Sequence, residues 1–423
     1  MSLAHYEGKR GEFNYDNEMF VVDCNGLLRF RAGYKGPIDL PKGVTSCRNM
    51  FANCDLTNCY FRDFDTSLVT DMVRMFDNCK LPEGFMLGDK FDTSKVTVMT
   101  SMFCGCKLPE GFTLGDKFDT ANVENMASIF SNCTFPEGFT LEDSFDTSGV
   151  KYMDNMFSCC QIPDGFSFGD KFDTSDVENM TAMFASCSIG KNVKLGDKFD
   201  TSNVKIMDYM FDGSFFSEGF SLGSKFDTSN VESMIAMFMR CKMPKGFSLG
   251  ENFCTSEVRD MREMFRECTI TEGFSLGEKF DTSKVKDMSH MFEDCTIPEG
   301  FKLGDKFNTA NVEDMYGMFC SCDIPVGFSL GDNFDTSKVL KMHSMFFKSN
   351  LPKGFSLGDK FDTSRVTSMA NMFRMCSLPE DFSLGEKFVI SKETDTFEMF
   401  EDCALPESLK AFADKAEQTD FFS

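Results

Sequence analysis

Residues 226–241 read FDTSNVESMIAMFMRC, and this stretch decides the architecture. Its apolar residues fall at Val231, Met234, Met237, Phe238 and Cys241. Spacings of three, three, one and three lay them along one stripe of a short helix. The same stripe stands at Val96, Met99, Met102, Phe103 and Cys106, with Asp92, Thr93 and Ser94 just ahead of it. Those three are residue types whose side chains cap the orphan N–H groups of a helix start.

Working outward, the Phe that opens the motif recurs at 64, 91, 118, 145, 172, 199, 226, 253, 280, 307, 334, 361 and 388. Every step is 27 residues, with no insertion or deletion. The upstream half of the unit, Phe85 and Leu87 followed by Gly88-Asp89-Lys90, reads as a short strand ending in a turn. The Pro and Gly of the LPEG segment break the helix and return the chain. One strand and one short helix cannot bury their own apolar faces, but stacked copies can. The expected fold is therefore a repeat solenoid, α/β and leucine-rich-repeat-like. Each 27-residue repeat should hold one short parallel strand plus one short helix, with about 13 repeats between caps. Residues 1–45 form an N-terminal segment and hairpin cap around Cys24-Asn25-Gly26. Residues 46–403 form a continuous solenoid, and residues 404–423 form a C-terminal cap helix and tail.

The charge narrows the function. With 43 basic and 67 acidic residues the chain carries a formal −24. Direct nucleic-acid binding needs a basic surface that releases counterions, so it is not expected. No run of apolar residues is long enough for a transmembrane segment. The start, MSLAHYEGKRGEF, has no apolar core and does not read as a signal peptide. The polar tail near Lys415 predicts a monomer or modest oligomer.

FDTSNV followed by M-x-x-M-F-x-x-C, clearest at residues 199–211 and 226–241, resembles the BspA-like leucine-rich-repeat family, in the branch of mycoplasma surface lipoproteins. The entry segment GPIDLPKGVTSCRNMF is similar to that of the same family. The resemblance extends over nearly all of residues 18–410. It implies a leucine-rich-repeat-like solenoid displayed on the cell surface or secreted, often adhesive. The unit here is slightly longer, through its PEG and GDK turns. The absence of a visible export signal leaves a cytoplasmic location open.

The residues offer little for catalysis. His5, His290 and His343 are scattered. The Cys column, which includes Cys79, Cys106, Cys133 and Cys403 with Ser214 and Ser349 in its two gaps, reads as buried thiols packed beside Met and Phe. A disulfide between neighbours such as Cys106 and Cys133 is the alternative. Cys104-x-Cys106 and Cys320-x-Cys322 lack zinc-site spacing. No enzyme activity, metal or cofactor is expected.

The surface remains. Between the columned Phe and Leu of the strand stand small polar residues, Thr113, Thr140, Ser167, Ser221, Ser248, Ser275, Ser329 and Ser356. Beside them runs a carboxylate column, with Asp116, Asp143, Asp170, Asp197, Asp305, Asp332 and Asp359. Together they form a candidate docking face. The expected function is recognition of another macromolecule, protein or glycan, along an extended surface, including surface adhesion or host interaction. The alternative is an intracellular acidic decoy, DNA-mimic-like, that fills a basic protein cleft.

Overall fold

The computed structural model describes residues 17–141 and 145–419. The chain divides into two units, Met1–Val204 and Lys205–Ser423. In each unit the backbone winds in 27-residue coils stacked in register, as shown by bridges such as Val98↔Asn125↔Tyr152 in the first and Asp260↔Asp287↔Asp314 in the second.

The expected helix in each repeat is not there. Among the described residues the single α-helix, α1, is Glu407–Thr419. The M-x-x-M-F-x-x-C segment is instead a pair of tight turns. In residues 72–79 the N–H groups of Met75 and Cys79 donate to the carbonyls of Met72 and Phe76, three residues back. The intervening N–H groups of Arg74, Phe76 and Asn78 donate forward, to Thr100, Met102 and Cys104 of the next coil, at 2.9, 2.8 and 2.6 Å. Each turn needs a left-handed residue at its third place, and Arg74 and Asn78 supply it with φ of 55° and 53°. The same two columns recur down the stack, for example at Ser128 and Asn132 and at Glu263 and Glu267.

Both conformations bring residues three apart together, so the apolar spacing fits either. Stacking distance chooses between them. Packed helices need about 8–10 Å between axes. Rings in the Phe76–Phe103–Phe130 column sit 5.3 and 5.8 Å apart. At that separation a turn that donates to its neighbour fits, and a helix does not.

The strand expectation also shifts. Phe85 and Leu87 are buried and Met86 is exposed, so the pleat survives. Cross-coil bridges at this place are confined to Thr140↔Ser167↔Lys194. Regular pairing runs instead through the columns of Asp71 and Lys80. It lengthens to two residues at β5 (Gln161–Ile162), β6 (Ser188–Ile189) and β7 (Phe215–Phe216).

The core follows the columns. Val96, Met99, Met102 and Phe103 have no solvent exposure, and neither do Val285, Met288, Met291 and Phe292 of a later coil. Rings of the opening Phe lie parallel, as in Phe91–Phe118 at 6.4 Å and 4°. Inside this apolar stack runs one polar column. Thr93 and Thr282, with their equivalents, are fully buried. Thr282 Oγ1 donates to the Asn308 carbonyl at 2.9 Å and accepts from the Asn308 N–H at 2.8 Å. Thr93, Thr120, Thr147 and Thr174 make the same forward bond to Asp119, Asp146, Asp173 and Asp200. The Asp of the motif closes its own turn, with Asp92 Oδ1 accepting the Ser94 N–H at 2.9 Å. Expected as helix caps, Asp and Thr are a turn former and an inter-coil clamp.

Both ends are covered. An antiparallel hairpin, β1 (Phe20–Val22) with β2 (Leu28–Phe30), lays Phe20 and Phe30 on Phe51 at 6.3 and 5.2 Å. Next come β3 (Gly36–Asp39) and β4 (Cys59–Asp63), paired in parallel. At the other end α1 buries Leu409, Ala413 and Ala416 and sets Phe412 against Phe388 and Phe400. Residues 1–16 of the N-terminal segment and 420–423 of the tail lie outside the described residues.

Two substitutions test this winding. Thr282→Val strands one N–H and one carbonyl in the core and should cost about 2–3 kcal/mol in denaturant unfolding, whereas Thr282→Ser should recover most of it. Ala182 has a φ of 53°. In a helix Ala→Gly costs about 1 kcal/mol. At a left-handed position the sign should reverse, so Ala182→Gly should leave stability unchanged or raise it by about 0.5 kcal/mol. A clear loss would restore the helix.

Candidate binding faces

The coil has two outward sides of different character. On the first, Thr113, Thr140, Ser167, Ser221, Ser248, Ser275, Ser329 and Ser356 are all exposed. So are Asp116, Asp170, Asp197, Asp305, Asp332 and Asp359, while Asp143 lies outside the described residues. The serines have a local task. Ser167, Ser221, Ser248, Ser275, Ser329 and Ser356 each accept the N–H of the Gly two residues on, at 3.1–3.2 Å. This ties the hydroxyl oxygen to the turn and leaves its proton facing solvent. Coils here are less tightly laddered, and a shallow groove of about 260 Å³ opens between Met86, Asp89, Thr113, Asp116 and Lys117. The neighbouring Lys column offsets part of the acid: Lys90 pairs with Asp63 at 2.5 Å and Lys198 lies 3.8 Å from Asp173.

The second side is the turn ladder itself. Its outward positions vary far more from coil to coil than the buried columns do, although Asp recurs at 260, 287 and 314. One coil presents Glu124, Asn125 and Ser128, with Ala127 buried between them, and another Arg259, Asp260, Arg262 and Glu263. The second unit carries an apolar patch here. Ile206, Tyr209 and Phe215 are 37, 38 and 62 % exposed. In the next coil Ile235 and Met239 are half-buried, and the Tyr209 N–H donates to the Ile235 carbonyl and the Gly213 N–H to the Met239 carbonyl, each at 2.7 Å. Charged pairs border the patch: Arg240 with Asp212, and Arg262 with Asp260 at 2.9 Å.

Further along this side, acid, imidazole and thiol meet. His290 Nδ1 lies 2.6 Å from Glu293 Oε2, and Arg266 Nε lies 3.1 Å from the same carboxylate. Cys320 is also beside Glu293. Burial and the nearby carboxylate push the Cys320 thiol up to about 11. That is the wrong direction for a nucleophile, which needs its thiolate. Among the described residues no three His, Cys, Asp or Glu side chains are arranged to hold a metal ion.

A family model described as "Mycoplasma protein of unknown function, DUF285" matches five overlapping stretches, residues 45–165, 81–189, 164–270, 245–324 and 324–414. The chain belongs to the DUF285 family. No curated protein and no solved structure matches it. Each match takes in several coils, so the DUF285 model reads the stack rather than a single repeat.

In this DUF285 chain all nineteen cysteines are free thiols. The column expected as packed thiols has a second role. Cys106, Cys133 and Cys241 donate S–H to the carbonyls of Phe76, Phe103 and Phe211 at 2.9–3.0 Å. Ser349 makes the same bond to Phe319 at 2.6 Å, which explains why Ser can stand in this column. Sequence reasoning missed the thiol bond, the Thr clamp and the apolar patch. Thr follows Asp, Cys or Asn in each copy from residue 66 to residue 363, more strictly than a cap requires, and that was the available signal for the clamp.

Burial pushes the Cys106, Cys187, Cys241 and Cys376 thiols up to about 12. A raised folded value stabilises the fold at low and neutral pH. That contribution should fade as pH climbs from about 8.5, where unfolded thiols ionise, through the folded values. Thermal midpoints should fall progressively above about pH 8.5. A thiol reagent in native buffer should react quickly with the exposed Cys24 and Cys159 and reach the column only after denaturation. Rapid native modification of Cys241 would contradict this packing.

Proposed function

We propose that this protein is a non-catalytic recognition protein that binds another macromolecule, a protein or a glycan, with its coils as a rigid scaffold. One observation carries the reading. The buried columns stay nearly constant from coil to coil while the outward positions of the turn ladder vary widely, with only short runs such as Asp260, Asp287 and Asp314 repeating. Such a surface can specify a partner, because each coil contributes its own chemistry at a fixed place. The patch of Ile206, Tyr209 and Phe215 has the aromatic and aliphatic make-up of an interface centre, bordered by paired charges. The Ser/Thr and Asp side is a second candidate surface, more uniform and suited to a repetitive ligand. The likeness to BspA-like leucine-rich-repeat proteins supports the surface-adhesion version of this function.

The test is full-length protein applied to protein and glycan arrays at low salt and at about 0.5 M salt. It is run beside the double variant Tyr209→Ala/Phe215→Ala. Binding should persist in salt and weaken at least about ten-fold in the variant. Binding confined to basic proteins, lost in salt and indifferent to the variant would instead establish the acidic decoy.

A further inference from the structure

The sequence contains three histidines, and two of them, His290 and His343, meet in one place. Three successive coils supply His290, Tyr316 and His343. The His290 and Tyr316 rings meet edge-on at 4.1 Å, and Tyr316 and His343 stack at 3.7 Å and 20°. Gly317 makes the room. It occupies a left-handed column with φ 58°, where other coils carry a side chain, and a Cβ there would come within 2.7 Å of His290 Nδ1. The same residues close the ladder: the His290 N–H donates to the Tyr316 carbonyl at 2.7 Å, and the Gly317 N–H to the His343 carbonyl at 3.0 Å. His343 Nδ1 is buried with no hydrogen-bond partner.

We propose that the His290–Tyr316–His343 stack is an acid-sensitive latch, which holds coils 290–343 closed at neutral pH and loosens them when His343 takes a proton.

The charges around His343 set the sense. Asp314 and Tyr316 face it from the preceding coil, Lys341 from its own, His290 from two coils before and Asp395 from two coils after. Residues 368, 370 and 371 of the following coil are Ser, Ala and Asn. Lys341 already engages Asp314 at 2.9 Å, so the nearest carboxylate is shared when a second cation forms. Burial holds His343 below the usual imidazole value. A depressed folded value contributes stability that is present above about pH 6.5 and is lost as pH falls through the folded value. Two carboxylates lie nearby, of which Asp287 runs opposite to this sense and Glu293 does not titrate in the window. Burial, partly offset by Ser289, raises Asp287 beside Asp314 and Asp260, so acid relieves strain there. Burial would raise Glu293, but His290 and Arg266 hold it low, so it stays ionised between about pH 7 and about pH 5.

Amide hydrogen exchange on the full chain decides the matter, corrected for intrinsic rates, at about pH 7 and about pH 5. The amides of His290 and Gly317 should lose at least ten-fold in protection at the lower pH. The equivalent ladder amides Asn155 and Ala236, far from any histidine in sequence, should not change. In His343→Phe, which keeps the ring and removes the titration, the difference should vanish. Should that variant fail to fold, the imidazole proton shifts of the wild type serve instead. A His343 that titrates at or above the free value, or unchanged protection at His290 and Gly317, would overturn the proposal.

Discussion

Everything in this structure depends on where alternate backbone N–H groups go. In each turn segment one N–H closes a turn within its own coil and the next reaches forward to the following coil. A buried amide must find a partner, and this alternation satisfies both sets. The cost is conformational. Two columns of residues must sit in the left-handed region, and most are not glycine: Tyr209, Glu263, His290 and Met375 all have φ between 56° and 59°. Each non-glycine residue there costs about 1 kcal/mol. The apolar columns offset this, since a buried Phe contributes about 2–3 kcal/mol and each coil brings several.

The period, the core columns and the turn glycines were legible in the sequence, because register and burial impose the same residue types every 27 positions. The backbone conformation was not. Met234, Met237 and Phe238 occupy the same inner positions whether the chain turns or helixes. Nothing in their spacing records that coils stack too closely for helices. Thr228 and Asp227 read as caps for the same reason: their local preference for the start of a turn is shared by helix starts and tight turns. The partner of Thr282 lies 26 residues away at Asn308, a relation that only stacking reveals. The apolar patch was hidden because Ile206, Tyr209 and Phe215 are isolated in the sequence, and Tyr209 meets the coil of Ile235 only through stacking.

The two outward sides divide the work of the coil. The Ser and Gly turns spend their polar groups on holding the chain's return, which explains their monotony. On the ladder side most backbone groups pair with the next coil, and the side-chain help is confined to one column, where Asp71, Asn125, Asp260 and Asp314 each accept the N–H two residues on, so the remaining side chains can differ. Arg74 with Asp77, Arg240 with Asp212 and Arg374 with Glu398 and Glu401 show one use of that freedom. The acid–imidazole cluster at His290 shows another.

The forward bonds have a direction. In the segment 73–78 the carbonyls of Val73, Met75 and Asp77 accept from the preceding coil, while the amides of Arg74, Phe76 and Asn78 donate to the following one. These peptide units therefore point the same way along the stack, and their dipoles add as they do in a helix. The sense relative to the chain is reversed. Here the partial positive charge points toward the following coil. Within each unit these dipoles add from coil to coil, so the ladder side carries a field directed along the stacking axis.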